Sequence, residues 1–182
     1  KETEIGRKIQ SATAFICGLG YYELNINGKR VGDHVLDPGF TDYSKEVLYV
    51  TYDVTEYFKK GNNCIGIILG GGWYDPATPD VWGFHTAPWV APPKVLLNVV
   101  LEFADGTQTV IASDQTWKVS TGPIVFNSVR GGEYYDARLE KPGWNLPGYI
   151  ETGWNAAKLV PPPGGKLVSQ QLPPIRATRL IS

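Results

Sequence analysis

Two sets of side chains in this sequence could act on a ligand: a group of carboxylates and a loop crowded with aromatic rings. Glycoside hydrolysis needs two carboxyl groups facing each other across the sugar, and Glu133, Asp136 and Glu140 in the segment GGEYYDARLE could supply them. Arg130, Arg138 and Lys141 lie beside them, and the reading we favour is structural. On that reading the charges tie loops to strand ends through ion pairs and backbone hydrogen bonds. Asp37 and Asp42 read first as turn residues that bond their own backbone. Loop carboxylates and carbonyls of this kind also leave calcium open as a ligand. His34 and His85 have no Cys or His partners at zinc-ligand spacing, and no Ser sits in a nucleophile-elbow pattern. The run Gly70-Gly71-Gly72 lacks the Lys and the helix of a phosphate-binding loop, and reads as a close-packed backbone turn.

The aromatic stretch is the sharper signal. Residues 70–93, GGGWYDPATPDVWGFHTAPWVAPP, make a connection too long to be an ordinary turn. It carries Trp73, Tyr74, Trp82, Phe84 and Trp89, with Asp75, Asp80 and His85 interleaved. A sugar ring has an apolar C–H face and a polar rim, and aromatic platforms with a few aimed polar groups suit both. The candidate sugar contacts are therefore Trp73, Tyr74, Asp75, Trp82, His85, Trp89, Glu133 and Asp136. Two other readings stay open: the rings fold under the loop as a satellite core, or they dock onto a neighbouring domain.

These residues have to be positioned by strands. Tyr22, Leu24 and Ile26 alternate with Tyr21, Glu23 and Asn25, the period of a sheet with one buried face. Asn27-Gly28 then predicts a two-residue type I′ hairpin turn, with a return strand over residues 29–32. Asp37-Pro38-Gly39 and Thr41-Asp42 carry the chain across an edge to a strand at 47–52, which favours a sandwich over a meander. Further strands are expected at 1–5, 12–17, 64–69, 95–103, 107–112, 117–120, 124–129, 134–139, 167–172 and 175–181. The strand at 64–69 is continuously apolar and expected to be buried on both sides. One short helix is expected at 53–60, capped by Asp53, with Glu56 at capping-box spacing and Gly61 as its stop. Residues 142–165 read as a surface excursion that returns to the core through Trp144 and Trp154.

Composition sets the limits. Seventeen Lys and Arg against 18 Asp and Glu give a net charge of −1, with no basic stripe for nucleic acid and no basic amphipathic helix for a membrane surface. Length suits one domain with a real core. Cys17 and Cys64, each in apolar strand surroundings, are expected as buried free thiols rather than a disulfide. A chain with no Met, even at position 1, reads as a piece of something larger.

The order and spacing of several motifs carry a resemblance over nearly the whole chain. They are Gly20-Tyr21-Tyr22-Glu23-Leu24, Asn27 to Asp33, Asp37-Pro38-Gly39, Thr41-Asp42-Tyr43 and Tyr52-Asp53-Val54-Thr55. They continue with Leu69-Gly70, Gly72-Trp73-Tyr74, Gly132-Glu133, Tyr135-Asp136-Ala137-Arg138, Gly143-Trp144 and Pro174-Ile175-Arg176. Together they resemble the N-terminal β-sandwich domain of bacterial α-L-rhamnosidases. The resemblance implies an all-β, jelly-roll-like antiparallel sandwich of the galactose-binding type over residues 1–182. It also implies a non-catalytic accessory role in a periplasmic or extracellular enzyme that removes terminal α-L-rhamnose with inversion, its two catalytic glutamates lying in a separate helical barrel. Some members of this domain family bind rhamnose with the help of calcium; others only support the architecture. The expected partners are a rhamnose-containing glycan and the other domains of the parent. One departure stands out: Gly71 precedes Gly72-Trp73-Tyr74 where the family often has Asn or Asp. The match at Gly148-Tyr149-Ile150-Glu151 is also looser than the usual Gly-Phe-Asp-Asp.

Overall fold

The structure is a computed structural model that describes residues 1–178. Its strands are β1 (Glu2–Ile5), β2 (Ile9–Leu19), β3 (Tyr21–Ile26), β4 (Lys29–Arg30), β5 (His34–Val35), β6 (Glu46–Asp53), β7 (Gly61–Gly70), β8 (Lys94–Phe103) and β9 (Gln108–Ala112). Shorter ones follow: β10 (Lys118–Val119), β11 (Ile124–Ser128), β12 (Gly132–Tyr135), β13 (Asn155–Ala156), β14 (Lys166–Ser169) and β15 (Ile175–Arg176). The expected strand over 175–181 is β15, and residues 179–181 lie outside the described part.

Two sheets face each other, a five-stranded one in the order β14-β6-β2-β8-β9 and a four-stranded one in the order β1-β7-β3-β4. The alternation in β2 and β8 explains the core. Ala14 lies opposite Val99 and Ile16 opposite Leu97, and these residues meet Tyr22, Leu24, Ile26 and Ile65 of the other sheet in one buried cluster. The small residues Ala12 and Ala14 leave room for the large side chains facing them. Pairing within both sheets is antiparallel except that β14 runs parallel to β6. Residues 54–165 separate those two strands, and so long a connection allows a parallel return.

The step from β2 to β3 moves the chain from one sheet to the other, a corner of the kind that joins packed sheets. Residue 20 makes the step alone, and a Cβ there would lie 2.1 Å from the Gly71 carbonyl oxygen and 2.5 Å from that of Gly70. Only glycine fits. Beyond it the hairpin forms as expected, with φ of 52° at Asn27 and 80° at Gly28, although the return strand ends at Arg30. The Asn27 side chain also bridges to β7: it accepts from the Cys64 amide (2.9 Å) and donates to Asn63 Oδ1 (2.8 Å).

The expected helix at 53–60 shrinks to a 3-10 turn at Thr55–Tyr57, with no side-chain cap at its start. Asp53 instead ends β6 and accepts from the Thr55 amide and hydroxyl at 2.9 and 2.6 Å. Asn63, wholly buried, takes over the polar groups that a longer helix would have used. Its Oδ1 accepts from the Lys59 amide (3.0 Å) and its Nδ2 donates to the Lys59 and Gly61 carbonyls (both 2.8 Å). Val54 and Phe58 on either side are then free to enter the core.

A second polar cluster fastens the far end of the chain. Buried Asp37 accepts from His34 Nδ1 (2.7 Å) and the Tyr52 hydroxyl (3.1 Å), while Gln170 donates to its other oxygen (3.3 Å). Arg176 of β15 donates to His34 Nε2 (3.2 Å) and pairs with Asp33 (2.8 Å). Nδ1 therefore carries the proton that His34 gives Asp37.

Cys17 and Cys64 are free and buried, in separate places. Burial in apolar surroundings pushes the Cys17 thiol up to about 12. Strand β7 departs from the expectation of burial on both sides. Residues 63–66 are covered, but Ile68 is 37 % exposed. The cover over the first half comes from the excursion at 142–165, where Trp144 lies against Gly66 so closely that a Cβ there would sit 2.5 Å from the indole ring.

Replacing Gly20 by Ala should cost at least about 2 kcal/mol, because a backbone carbonyl rather than a side chain must give way. Chemical denaturation of Gly20→Ala measures this. A variant as stable as the parent would mean that residue 71 can move freely away from residue 20.

Candidate functional site

The aromatic loop starts where Gly71 is held from two sides. Its amide donates to Asn127 Oδ1 of β11 (2.7 Å), and its carbonyl accepts from the Asp75 amide (3.0 Å). With φ of 53° at Gly72, Gly70-Gly71-Gly72 is the close-packed turn expected from the sequence. The Thr78 hydroxyl meets Ser128 Oγ at 3.2 Å. The β11–β12 hairpin thus flanks the loop, and Arg130 at its turn reaches over it.

The loop aromatics divide into two groups. Tyr74 is 1 % exposed, its ring edge-on to Tyr43 at 5.3 Å, and Trp89 meets the same Tyr43 at 5.8 Å. Both pack with Cys17, Leu19 and Val47 in a second buried cluster. Trp73 is half-buried between Phe40 (5.7 Å) and Phe84 (5.4 Å). Burial leaves Tyr74 no face for a ligand, and little of Trp89. Trp82 is the contrast, at 63 % exposed, with the Arg130 guanidinium 3.8 Å from its ring centre. A cation on an indole face at that distance is attracted by the ring quadrupole, so one face of Trp82 is braced.

The polar residues divide similarly. Asp80 shapes the turn beneath Trp82 by accepting from the Trp82 amide (2.8 Å) and the Phe84 amide (3.3 Å). Burial works against its charge, yet those amides, with His85 and Arg130 nearby, hold the carboxyl below the usual aspartate range. His85 is occupied within the loop, since its Nδ1 accepts from the Asp80 amide at 3.2 Å. Asp136 forms a two-pronged pair with Arg138 (2.8 and 2.6 Å), and that partner holds its carboxyl low. Glu140 accepts from the Tyr135 hydroxyl at 2.7 Å. Glu133 is exposed on β12, opposite Asn127.

Asp75 behaves differently. It is partly buried, and desolvation raises its pKa, with no ion-pair partner among the described residues. A carboxylate kept at such a cost beside an aromatic loop marks a functional candidate. Calcium takes about six to eight oxygen ligands, and among the described residues no three His, Cys, Asp or Glu side chains converge to hold a metal. These side chains do not form a calcium cage.

Sequence reasoning does not single out Arg130 as the group that braces Trp82, or Asn127 as the anchor of Gly71. Nothing in the local sequence pairs residue 130 with residue 82, since a hairpin about fifty positions along brings them together.

Comparison with known proteins gives a consistent result. Residues 7–179 match the family described as the α-L-rhamnosidase N-terminal domain. An α-L-rhamnosidase of Formosa agariphila is 42 % identical over 180 residues, which cover 94 % of this chain and 18 % of the relative. The solved α-L-rhamnosidase of Dictyoglumus thermophilum superposes with a TM-score of 0.89 at 46 % identity, over 98 % of this chain and 19 % of that one. The Streptomyces avermitilis α-L-rhamnosidase, solved in complex with L-rhamnose, gives 0.92 at 35 % identity over 98 % of this chain and 17 % of that one. The chain thus spans under a fifth of the length of these relatives.

The pKa of Asp75 is raised in the folded state, so its contribution to stability is fully present below the usual aspartate range and is lost as pH rises through the folded value. Asp75→Asn should therefore melt higher than the parent at pH 7, with the difference disappearing on acidification below that range. Melting curves across pH check the sign. A lower midpoint for the variant at pH 7 would mean that the carboxylate has a stabilising partner.

Proposed function

The chain belongs to the α-L-rhamnosidase N-terminal domain family, and from that membership we propose that it is a non-catalytic carbohydrate-recognition domain of an α-L-rhamnosidase. The parent enzyme hydrolyses terminal α-L-rhamnosyl residues with inversion, using catalytic carboxylates outside this chain. The domain binds the rhamnosyl end of the glycan and brings it to the enzyme.

The observation that carries this reading is the display of Trp82. The other aromatic rings of the loop are buried or half-buried, while this indole stays 63 % exposed with one face against Arg130. An exposed indole forgoes burial that would otherwise stabilise the fold. A pyranose laid on its free face would recover that burial, and the exposed guanidinium of Arg130 offers several N–H donors to the ring hydroxyls. Asp75 and Glu133 are the acceptors on the loop and on the flanking hairpin. Trp73 packs behind the display, against Phe40 and Phe84. Tyr74, Trp89, His85 and Asp136 hold the loop and the hairpin in place.

The packing of Tyr74, Trp73 and Trp89 favours a second reading, in which the domain is purely structural. On that reading Trp82 and Val81, the latter 88 % exposed, meet a neighbouring domain of the parent.

Calorimetric titration with L-rhamnose, with and without calcium, separates the two. The recognition reading expects saturable heat from the chain, a loss of at least about ten-fold in affinity in Trp82→Ala, and partial retention in Trp82→Phe. Absence of heat at millimolar sugar from a demonstrably folded chain leaves the structural reading standing.

A further inference from the structure

Away from the aromatic loop lies a cleft of about 710 Å³, open on one side, between the outer face of β7 and the segments that carry β10, β11 and the start of the 142–165 excursion. Its volume falls within the range of about 300–1,000 Å³ typical of small-ligand sites. Its floor is the outer face of β7 at Ile67–Leu69, where the Ile68 side chain points outward while Ile67 and Leu69 turn toward the core. This is the stretch of β7 that the sequence pattern expected to be covered and the fold leaves open.

The walls combine aromatic rings with polar groups. Trp144 stands against the backbone at Gly66, fixed by the close approach that only glycine permits there. Trp154 meets Tyr149 edge-on at 5.9 Å, with the Lys141 ammonium 5.9 Å from its ring centre. Its indole N–H is buried without a hydrogen-bond partner and with no surface open to the cleft, so Trp154 offers the cleft its ring rather than its donor. At the rim, Glu140 accepts from the Tyr135 hydroxyl (2.7 Å), and the Lys141 ammonium donates to the Thr121 carbonyl. A carboxylate, an ammonium, a phenol and the Asn145 amide thus surround two indoles. The charged residues of the lining are Lys118, Lys141 and Glu140, groups of both signs rather than a cluster of one.

We propose that this cleft is a second saccharide site, which takes a neutral pyranose from the internal part of a glycan chain. Neutral ring hydroxyls match a rim holding both carboxylate and ammonium groups, and the apolar C–H faces of the sugar match Trp144 and Trp154 above Ile68. The inference builds on the carbohydrate-recognition reading, but it rests on residues that the Trp82 site does not use. The two sites lie at opposite ends of the β11–β12 hairpin. The Arg130 turn faces the aromatic loop, whereas Ile124 and Tyr135 line the cleft.

The test uses the whole chain and two probes, L-rhamnose and the disaccharide α-L-rhamnosyl-(1→6)-D-glucose, titrated by calorimetry. Thr121→Trp, at an exposed rim position, fills the cleft without touching the core, and Glu140→Gln removes the rim charge while keeping an acceptor for Tyr135. The expected result is that Thr121→Trp weakens disaccharide binding by about ten-fold or more and Glu140→Gln does so to a smaller extent. Both should leave L-rhamnose binding and the thermal midpoint unchanged. In Trp82→Ala, L-rhamnose binding should be lost while residual disaccharide binding, still sensitive to Thr121→Trp, persists. Disaccharide binding that is indifferent to Thr121→Trp overturns the second site and leaves the Trp82 reading intact. Failure of the disaccharide to bind in any variant overturns the second site as well. Rhamnose binding that survives Trp82→Ala but is abolished by Thr121→Trp overturns the Trp82 reading, and moves the rhamnosyl site into the cleft.

Discussion

Everything the domain displays depends on a backbone contact that no side chain can enter. The chain leaves the five-stranded sheet at Leu19, and by Tyr21 it already pairs with β7 in the other sheet, so residue 20 must turn the corner alone. At that corner the carbonyls of Gly70 and Gly71 lie within 2.5 Å of where a Cβ would be. Glycine here answers to space rather than to backbone angle, because its φ is not in the left-handed region. The same contact fixes where β7 ends and the aromatic loop begins. The glycines at both ends of the motif are therefore one structural device, and the departure at Gly71 falls inside it. A side chain at position 71 would point at the Asp75 carbonyl, 2.5 Å away, so the loop in this conformation requires the glycine it has.

Around this corner, polar clusters do what the apolar core cannot. Hydrophobic burial is non-directional; it holds the sheets together but does not set where a strand ends. Asn27 and Asn63 fix the alignment of the hairpin against β7 with side-chain bonds of 2.8–2.9 Å. Asp37 gathers His34, Tyr52 and Gln170, and through His34 it also reaches Arg176. The buried side chains of these two clusters are paired, so the cost of removing them from water is offset and their directionality is kept. The late segments β14 and β15, which are short and largely exposed, are held in part by these bonds.

Much of the sheet structure was legible in the sequence because the relevant signals are local. The alternation from Val95 to Phe103 and the Asn27-Gly28 pair each encode their own geometry, and β8 and the first hairpin formed as that geometry dictates. The helix at 53–60 misled because capping residues were present but Asn63, several positions later, takes the Lys59 amide and carbonyl for itself. In the loop, composition marked the aromatic residues but could not rank them. Trp73, Tyr74, Trp82 and Trp89 are the same kind of side chain in sequence, and only Tyr43, Phe40 and Arg130, brought from elsewhere, decide which ring is buried and which is displayed. The cleft was invisible for the same reason: whether Ile68 is covered depends on where the excursion at 142–165 comes down.

The β11–β12 hairpin links these regions. It is a two-stranded ribbon outside both main sheets, and such ribbons are marginal unless packed against something. Here packing comes at both ends. Asn127 and Ser128 bond the start and middle of the aromatic loop, and Tyr135 and Ile124 close one side of the cleft. Phe126 and Tyr134 stack across the ribbon at 4.9 Å and stiffen it between the two ends. A segment with so little core of its own keeps its shape through the surfaces it joins, and the aromatic loop at one end and the cleft wall at the other are held in place by the same ribbon.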